Sequence, residues 1–538
     1  MSGGALLNMM KCMQDECNLN LPPSPLNGGN DRTFFSLFTF HSSLIMIPRL
    51  KEISKTRYTW NNILGNVKSN PLLYFYPRNV DDIREIVLEA EQKKYRVRAV
   101  GSGHSFSEAA KGDEFMMDMK WLRHIDIYKP PFVKPAFSGN KYVIADAGTT
   151  IKRTNRKLDK AGLALINMGA VDFQTLSGAL MTGTHGSGIK EPAFPDMVRS
   201  LRMVGKNAEL IQIEPADGIT DPAAHQQHAS NIRLIQDDDI FYSTVLSFGA
   251  MGIVYQLVLE VVPSYWIVES RQLYKWSEIK PQILDGRFMA DVYANDWLSF
   301  RVNPHEIKGD RLVSIIRQNR ENFPPPKWKR GMRNLIAAVG GDLEFIVEGV
   351  IRAANFKPNL TPKKIQSSMK LMKYKRHKDK SYRVLFQGGA AALRYGISSE
   401  IAFKADPQLL VDVMEAIFEQ TRFYVAYAKI YQPSYIPLRF TQQSKAYLST
   451  AYNSETMYID IPTLYGVLGF ADLLEAYQEK MIEMGGFPHW GKMNMVLYSR
   501  HDVIQAHMPM LQKWIDVRRQ MDPDGTFLND FIVRMGLK

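Results

Sequence analysis

The chain predicts an α+β protein of two domains, and three observations carry that expectation. A strand–helix–strand unit over 72–100 runs directly into a turn with two glycines. A strand–helix–strand pattern is used twice between 397 and 497, which suits a sheet with helices packed on one face. At 538 residues the chain is too long for a single hydrophobic core.

In chain order, residues 1–66 read as a variable extension, broken by Pro22-Pro23-Ser24-Pro25 and Gly28-Gly29. Leu72-Leu73-Tyr74-Phe75-Tyr76 is a strand that Pro77 ends. Asn79 caps a helix with Val80, Ile83, Ile86, Val87 and Ala90 on one face. Val97 to Val100 is the next strand. Lys141 to Ala147 reads as a strand, Ile151 to Ala161 as a helix that Gly162 stops, and Val254 to Val262 as a strand closed by Pro263. From about 264 the texture changes, and 323–383 forms a basic insertion with a Pro324–Pro326 turn and an apolar stretch at 335–354. Regularity then returns. Strands are expected at Ile397–Phe403, Phe423–Ile430, Met457–Ile461 and Lys492–Leu497, with helices at 407–421 and 470–484.

The bulk composition narrows the function. Hydrophobic content of 45% is that of a folded protein, and the net charge of +12 favours acidic partners without naming one. A nucleic-acid reading needs a binding module, and none is found. Two cysteines, Cys12 and Cys17, make neither a disulfide framework nor a four-ligand zinc site, so no metal centre is expected. The longest apolar run, 34–47, falls short of a membrane span and starts too deep for a signal peptide. A cytoplasmic protein is the expectation.

Three motifs carry chemistry. In Gly101-Ser102-Gly103-His104-Ser105-Phe106 the glycines let backbone amides close around an anion. Phe106 occupies the place where a dinucleotide fingerprint needs its third glycine, which disfavours a nicotinamide site. A second glycine cluster, Thr182-Gly183-Thr184-His185-Gly186-Ser187-Gly188, combines amides with short hydroxyls. Two such loops, each expected to follow a strand, imply a large phosphate-bearing cofactor. The third motif is His489-Trp490-Gly491-Lys492. A lysine entering a buried strand needs an anion or oxygen to meet it, and so does Arg439 within Pro437-Leu438-Arg439-Phe440.

Taken in this order, with Phe248-Gly249-Ala250-Met251-Gly252-Ile253-Val254 and Asp522-Pro523-Asp524-Gly525-Thr526-Phe527, these stretches resemble the vanillyl-alcohol-oxidase (PCMH) type of FAD enzyme. Within that type they resemble the aldonolactone oxidase and alditol oxidase family. The resemblance spans about 67–538. It implies a two-subdomain PCMH-type FAD-binding domain at 67–263. It also implies a C-terminal α+β substrate (cap) domain at 264–538 with a mainly antiparallel sheet, whose last segment returns to the flavin.

Residue by residue, the resemblance implies that His104 bonds covalently to the flavin. Gly101, Ser102, Gly103, Ser105 and Phe106 would form the pyrophosphate loop. Thr175, Gly178, Thr182, Gly183, Thr184 and His185 would form the second FAD stretch, and Ile253 a contact on the adenine side. His489 would lie near the flavin, with Arg439 and Lys492 as substrate-side cations. Three polar matches of the alditol branch are replaced by Ala170, Pro437 and Pro462. A polyol site cannot lose such partners without leaving hydroxyls unpaired, so a sugar lactone is expected over a simple alditol. Oxygen or another electron acceptor would complete the cycle. Two alternatives stand beside this: a larger apolar or lipid-linked alcohol, such as a sterol or polyprenyl-linked sugar, met at a membrane through 323–383, and a flavin-binding protein without turnover.

Overall fold

The computed structural model describes residues 48–128, 132–324, 351–352, 354–387 and 395–538. The cysteines, the 34–47 run and nearly all of the 335–354 stretch lie outside them. Within the described residues, three main sheets are stacked along the chain.

The first sheet holds β1 (Ser54–Lys55), β2 (Leu73–Phe75), β3 (Val97–Val100) and β4 (Phe115–Asp118) in the order β1-β2-β4-β3. Helix α1 (Val80–Lys93) joins β2 to β3. Its N-cap is Asn79, whose side chain accepts from the Asp82 amide, and Ile83, Ile86, Val87 and Ala90 are fully buried. Residues 48–66 belong to this layer: β1 pairs with β2, and the Ile63 amide donates to the Gly103 carbonyl at 2.9 Å.

The second sheet contains β5 (Ile125–Tyr128), β6 (Lys141–Asp146), β7 (Leu163–Leu165), β8 (Val198–Val204), β9 (Leu210–Glu214), β10 (Arg233–Gln236) and β11 (Ile253–Pro263). Its order is β10-β9-β8-β11-β6-β5, with β7 also on β11. Helix α2 (Ile151–Lys160) turns its apolar residues Ile151 and Leu158 inward. Here one expectation fails. The second glycine loop follows a short helix, α3 (Leu176–Met181), not a strand. Thr175 caps that helix, so its small apolar residues satisfy their backbone groups locally instead of through a sheet.

The third sheet is entirely antiparallel and is built from β12 (Trp266–Lys275), β13 (Trp297–Val302), β14 (Leu312–Glu321), β15 (Tyr374–Lys380), β16 (Gly396–Lys404), β17 (Ile436–Thr441), β18 (Thr456–Leu464) and β19 (Phe487–Pro488). The order is β15-β12-β14-β13-β17-β18-β16-β19. Its apolar face packs on α4 (Trp276–Leu284), α5 (Arg287–Ala294), α7 (Pro407–Tyr427) and α8 (Phe470–Glu483). The basic stretch divides between α6 (Thr361–Leu371) and β15 at the sheet edge. Lysines on an edge strand discourage a further strand from adding there, a structural use for part of that charge.

Two expected strands are absent. Residues 423–427 extend α7, because no glycine or proline interrupts the helix before Pro433 and the aromatic Phe423 and Tyr427 point outward. Residues 492–497 form a loop ending in a 3-10 turn, Met495–Ser499. Asn494 explains the loop, since its side-chain amide donates to the His489 and Trp490 carbonyls and so folds the chain back.

The C-terminus reaches back to the first sheet. Asp522 accepts from the Thr526 and Phe527 amides, the Thr526 carbonyl accepts from Val97, and buried Arg98 donates to the Phe248 and Phe527 carbonyls. The strand that enters the first glycine loop is therefore held by residues more than 400 positions away.

Candidate active site

The first glycine loop is shaped by close contacts that permit no side chain. A Cβ on Gly101 would lie 2.0 Å from Thr175 Oγ1, and Gly103 sits at φ +65°. The amides of Ser102, Gly103, His104 and Ser105 donate to no group among the described residues. Four such donors in succession form an anion-binding concavity. Asn62 holds the loop from below, donating to the Ser105 carbonyl at 2.9 Å.

His104 lines the cavity that this loop opens, with its ring stacked at 6.4 Å on Phe173. Its ring nitrogens have no hydrogen-bond partner among the described residues, and burial lowers its pKa to about 4. It is a neutral imidazole at pH 7, with a free nitrogen in a cavity.

The distant His489-Trp490-Gly491-Lys492 motif meets this loop directly. The Phe106 amide donates to the Gly491 carbonyl at 2.9 Å, and Ser107 Oγ donates to the Trp490 carbonyl at 2.7 Å. The indole of Trp490 is core, donating to the Leu448 carbonyl at 2.7 Å. The Gly491 amide donates to His489 Nδ1 at 3.1 Å, so Nε2 carries the hydrogen that points to the Gly183 carbonyl at 3.2 Å. Burial pushes the His489 pKa down to about 3, and the ring is neutral. The second glycine loop, the terminal motif and the first loop thus close on one another.

Against the terminal motif lies the polar face of the third sheet, with the His489 amide donating to the Glu400 carbonyl at 2.8 Å. Strand register fixes it: Glu400 on β16 lies opposite Asp460 on β18, and Arg439 on β17 lies opposite Tyr458 on β18. Side chains alternate along a strand, so Ser398, Glu400, Tyr458, Asp460 and Arg439 share one face. Ile401, Leu438 and Ile459 take the other, against the helices.

Glu400 is the centre of this face. It is 2% exposed, is hydrogen-bonded by Arg439, and has Lys492 Nζ at 3.9 Å and His185 Nε2 at 3.5 Å. Burial raises its pKa, but Arg439, His185 and Lys492 outweigh burial and hold the carboxylate ionised, well below its usual range. Burial and the nearby Glu400 charge raise Asp460 instead. Lys492 Nζ lies 3.7 Å from Asp460 and donates to Ser398 Oγ at 2.9 Å. The His185 ring stacks on Tyr458 at 3.6 Å.

One cavity of about 240 Å³ brings these parts together. Gly101, Ser102, Gly103, His104, Ser105, Phe106, Thr175, Gly178, Thr182, Thr184, His185, Arg439, His489 and Lys492 all line it, as does Ile253 at the start of β11. Gly183 stands outside the lining and enters only as the acceptor for His489. Sequence reasoning missed Glu400, Asp460 and Gln174. Gln174 faces the cavity with its Oε1 buried and unpartnered, an acceptor left for a ligand. A charge in the middle of an apolar strand was the available signal for Glu400, the same signal that marked Arg439.

The amide concavity, the free imidazole and the unpartnered Gln174 fit a phosphate-bearing cofactor. The fold and this cavity define an FAD-binding protein, and residues 71–214 match the FAD-binding domain. Residues 259–535 match the D-arabinono-1,4-lactone oxidase model, and the chain belongs to that family. It is 25% identical to the L-gulono-1,4-lactone dehydrogenase of Mycobacterium tuberculosis, over 88% of this chain and 98% of that one. It is also 25% identical to the L-gulonolactone oxidase of Mus musculus, over 87% and 95%. Among solved structures, cholesterol oxidase from B. sterolicum shares the fold with a TM-score of 0.71 at 14% identity, over 91% of this chain and 99% of that one.

Proposed function

We propose that this protein is an FAD-dependent oxidoreductase that oxidises a C–OH group of an aldono-1,4-lactone of the L-gulono or D-arabinono kind. The single observation that carries the reading is the Glu400–Arg439–Lys492 cluster, which meets the His489 motif and His185 of the second glycine loop at one end of the cavity. The cofactor, when bound, supplies the hydride acceptor. Residues 67–263 would hold it, and 264–538 would present the lactone.

The roles follow from charge and geometry. Ser102, Gly103, His104 and Ser105 offer amides to the pyrophosphate, and His104 presents a neutral nitrogen for a covalent link to the flavin. Arg439 and Lys492 face the hydroxyl that is oxidised and stabilise the alkoxide character that grows as hydride leaves. One well-placed donor of this kind contributes about 2.7–4 kcal/mol. Glu400 keeps the Arg439 fork aimed and accepts from a lactone hydroxyl. His489 has both nitrogens engaged and a pKa near 3, so it shapes the site and does not titrate during turnover.

Anaerobic mixing of the holoprotein with L-gulono- and D-arabinono-1,4-lactone should bleach the flavin band at about 450 nm. No bleaching with any aldonolactone sinks the reading. Flavin that stays with acid-precipitated wild type and leaves His104→Ala would establish the covalent link.

A second contact is favoured by one observation. Leu371 is 71% exposed beside Lys370 and Lys373, an apolar side chain among cations. Among the described residues no helix is long and apolar enough to cross a membrane. Peripheral contact through 323–383 predicts co-sedimentation with anionic vesicles at low salt.

A further inference from the structure

A second groove, separate from the substrate end of the cavity, backs onto the first glycine loop. Gly101, Ser102 and Thr175 line both. The wall of this groove carries seven cations, Lys120 and Arg123 together with Lys152, Arg153, Arg156, Lys157 and Lys160, and one acidic residue, Asp118. Five of the seven come from α2, which buries Ile151, Thr154, Asn155 and Leu158 and turns its basic residues outward. Lys157 and Lys120 have acidic neighbours, Asp126 at 3.1 Å and Asp118 at 3.3 Å. No ion pair is formed among the described residues by Arg123, Lys152, Arg153, Arg156 or Lys160. Trp121 is 50% exposed beside them, with Arg123 5.4 Å from its ring.

The groove lies close to the proposed point of flavin attachment. Lys152 Nζ sits 4.8 Å over the Phe173 ring, and Phe173 stacks on His104. One aromatic side chain separates the basic surface from the imidazole.

We propose that this groove is the docking surface for an acidic one-electron carrier protein, which removes electrons from the reduced flavin along its His104 edge. The inference rests on the flavin reading above. Each lactone oxidised gives up its hydroxyl proton to solvent and leaves two electrons and one proton on the flavin beyond its oxidised state. Two carrier molecules take one electron each, and the proton goes to solvent.

The chemistry favours a protein over the other anions. The cations are spread along an exposed helix face and do not converge on one buried point, as a phosphate site would require. The surface is concave, which a planar membrane cannot enter. A cationic groove with an exposed tryptophan beside Arg123 suits a transient encounter steered by long-range attraction, in which charge sets the rate more than the affinity.

The test separates this inference from the reading beneath it. Holoenzyme is first bleached anaerobically by lactone; failure at that step counts against the proposed function. Reduced enzyme is then mixed with ferricyanide, an anion, or hexaammineruthenium(III), a cation, over a range of salt. Arg153→Glu/Arg156→Glu should slow ferricyanide at least about tenfold at low salt and speed the ruthenium complex, with lactone bleaching unchanged. Lys363→Glu/Lys364→Glu, which makes the same change of net charge on α6, should leave both rates nearly as they were.

A second readout needs no turnover. Soluble cytochrome b5, an acidic haem protein used as the probe, should bind the wild type at low salt and lose at least about tenfold in affinity with the α2 variant. Equal effects of the α2 and α6 variants overturn the proposal, because net charge would then explain them. Binding of duplex DNA or anionic vesicles that needs Arg153 and Arg156, without any change in reoxidation, overturns it as well.

Discussion

The two faces that enclose the cavity are built by different physics. The cofactor side is made of backbone: amides in a glycine loop, a capped helix and the Gly183 carbonyl that accepts from His489. The substrate side is made of side chains from β16, β17 and β18, brought together by strand register, with Lys492 and His185 joining them from the loops. The first arrangement is written in contiguous residues and tolerates little change. The second is distributed, and a group lost from one strand can be supplied from another. Pro437, two residues before Arg439, replaces a polar match of the alditol branch, yet Arg439 does have a carboxylate partner. Glu400 provides it from two strands away.

This contrast predicts its largest effect on the cofactor side. Gly101→Ala would put a methyl 2.0 Å from Thr175 Oγ1 and 3.2 Å from its Cβ. Neither the backbone loop nor the capping threonine can yield without losing the amide concavity. The variant should purify without flavin and have no lactone activity, measured by absorbance at about 450 nm. Adding Thr175→Ala removes the nearest atom and should restore part of the flavin content. If the single variant retains full flavin, the cofactor side is more tolerant than its contacts allow.

On the substrate side the largest loss should come from Arg439→Ala. Flavin content should stay near wild type, while the anaerobic bleaching rate falls about 10²–10³-fold for the loss of one transition-state donor. The change also leaves the buried Glu400 carboxylate short of its main partner, at a stability cost on the order of 3 kcal/mol. Arg439→Lys should recover stability better than rate, because an ammonium keeps the charge but not the fork. Flavin loss together with rate loss would mean that the two sides are not separable.

The same contrast explains what was legible in the sequence. Gly101-Ser102-Gly103-His104 and His489-Trp490-Gly491-Lys492 identified the cavity, because local backbone chemistry sets their shape. The resemblance implied the antiparallel sheet, and β16 and β18 fall where the alternation of residues places them. Neither the pairing of Glu400 with Asp460 nor the approach of Arg439 to Glu400 could be read there. Strand order is a tertiary choice, and a carboxylate on one strand says nothing about which cation it will meet. The misread 492–497 stretch has the same origin. Apolar residues with β propensity suggested a strand, but the backbone of the stretch meets the edge of β16 only at Met493, whose amide donates to the Ser398 carbonyl, and Asn494 folds the chain back on the His489 and Trp490 carbonyls.

Whether the carboxylate can be moved sharpens the comparison further. Glu400→Gln removes the charge but keeps the shape, and the bleaching rate should drop roughly 10–100-fold, with KM rising, as the Arg439 fork loses its charged anchor. Pro437 lies two residues before Arg439 on the same strand, and therefore on the same face. Pro437→Glu in the Glu400→Gln background should recover part of the loss, roughly tenfold, by placing a carboxylate beside Arg439 from its own strand. No recovery, with normal folding, would falsify the idea that either strand can supply the anchor.

The smallest effect tests how far the site is insulated from pH. His489 is 5% exposed, and burial depresses its pKa from the ordinary histidine value to about 3. Below pH 6.5 the unfolded chain binds a proton at this residue that the native state refuses. The stabilising contribution is therefore complete above pH 6.5 and shrinks as pH falls toward 3, with a slope of at most about 1.4 kcal/mol per pH unit. Urea unfolding of wild type and His489→Asn between pH 7 and pH 5 should show that slope in the wild type, added to the background of other groups, and missing from the variant. Through the same window the wild-type bleaching rate should carry no step from His489, since the ring stays neutral in the folded state. A step near pH 6 that His489→Asn abolishes would make His489 a proton-transfer group, and the substrate side would then depend on the cofactor side for its chemistry as well as its shape.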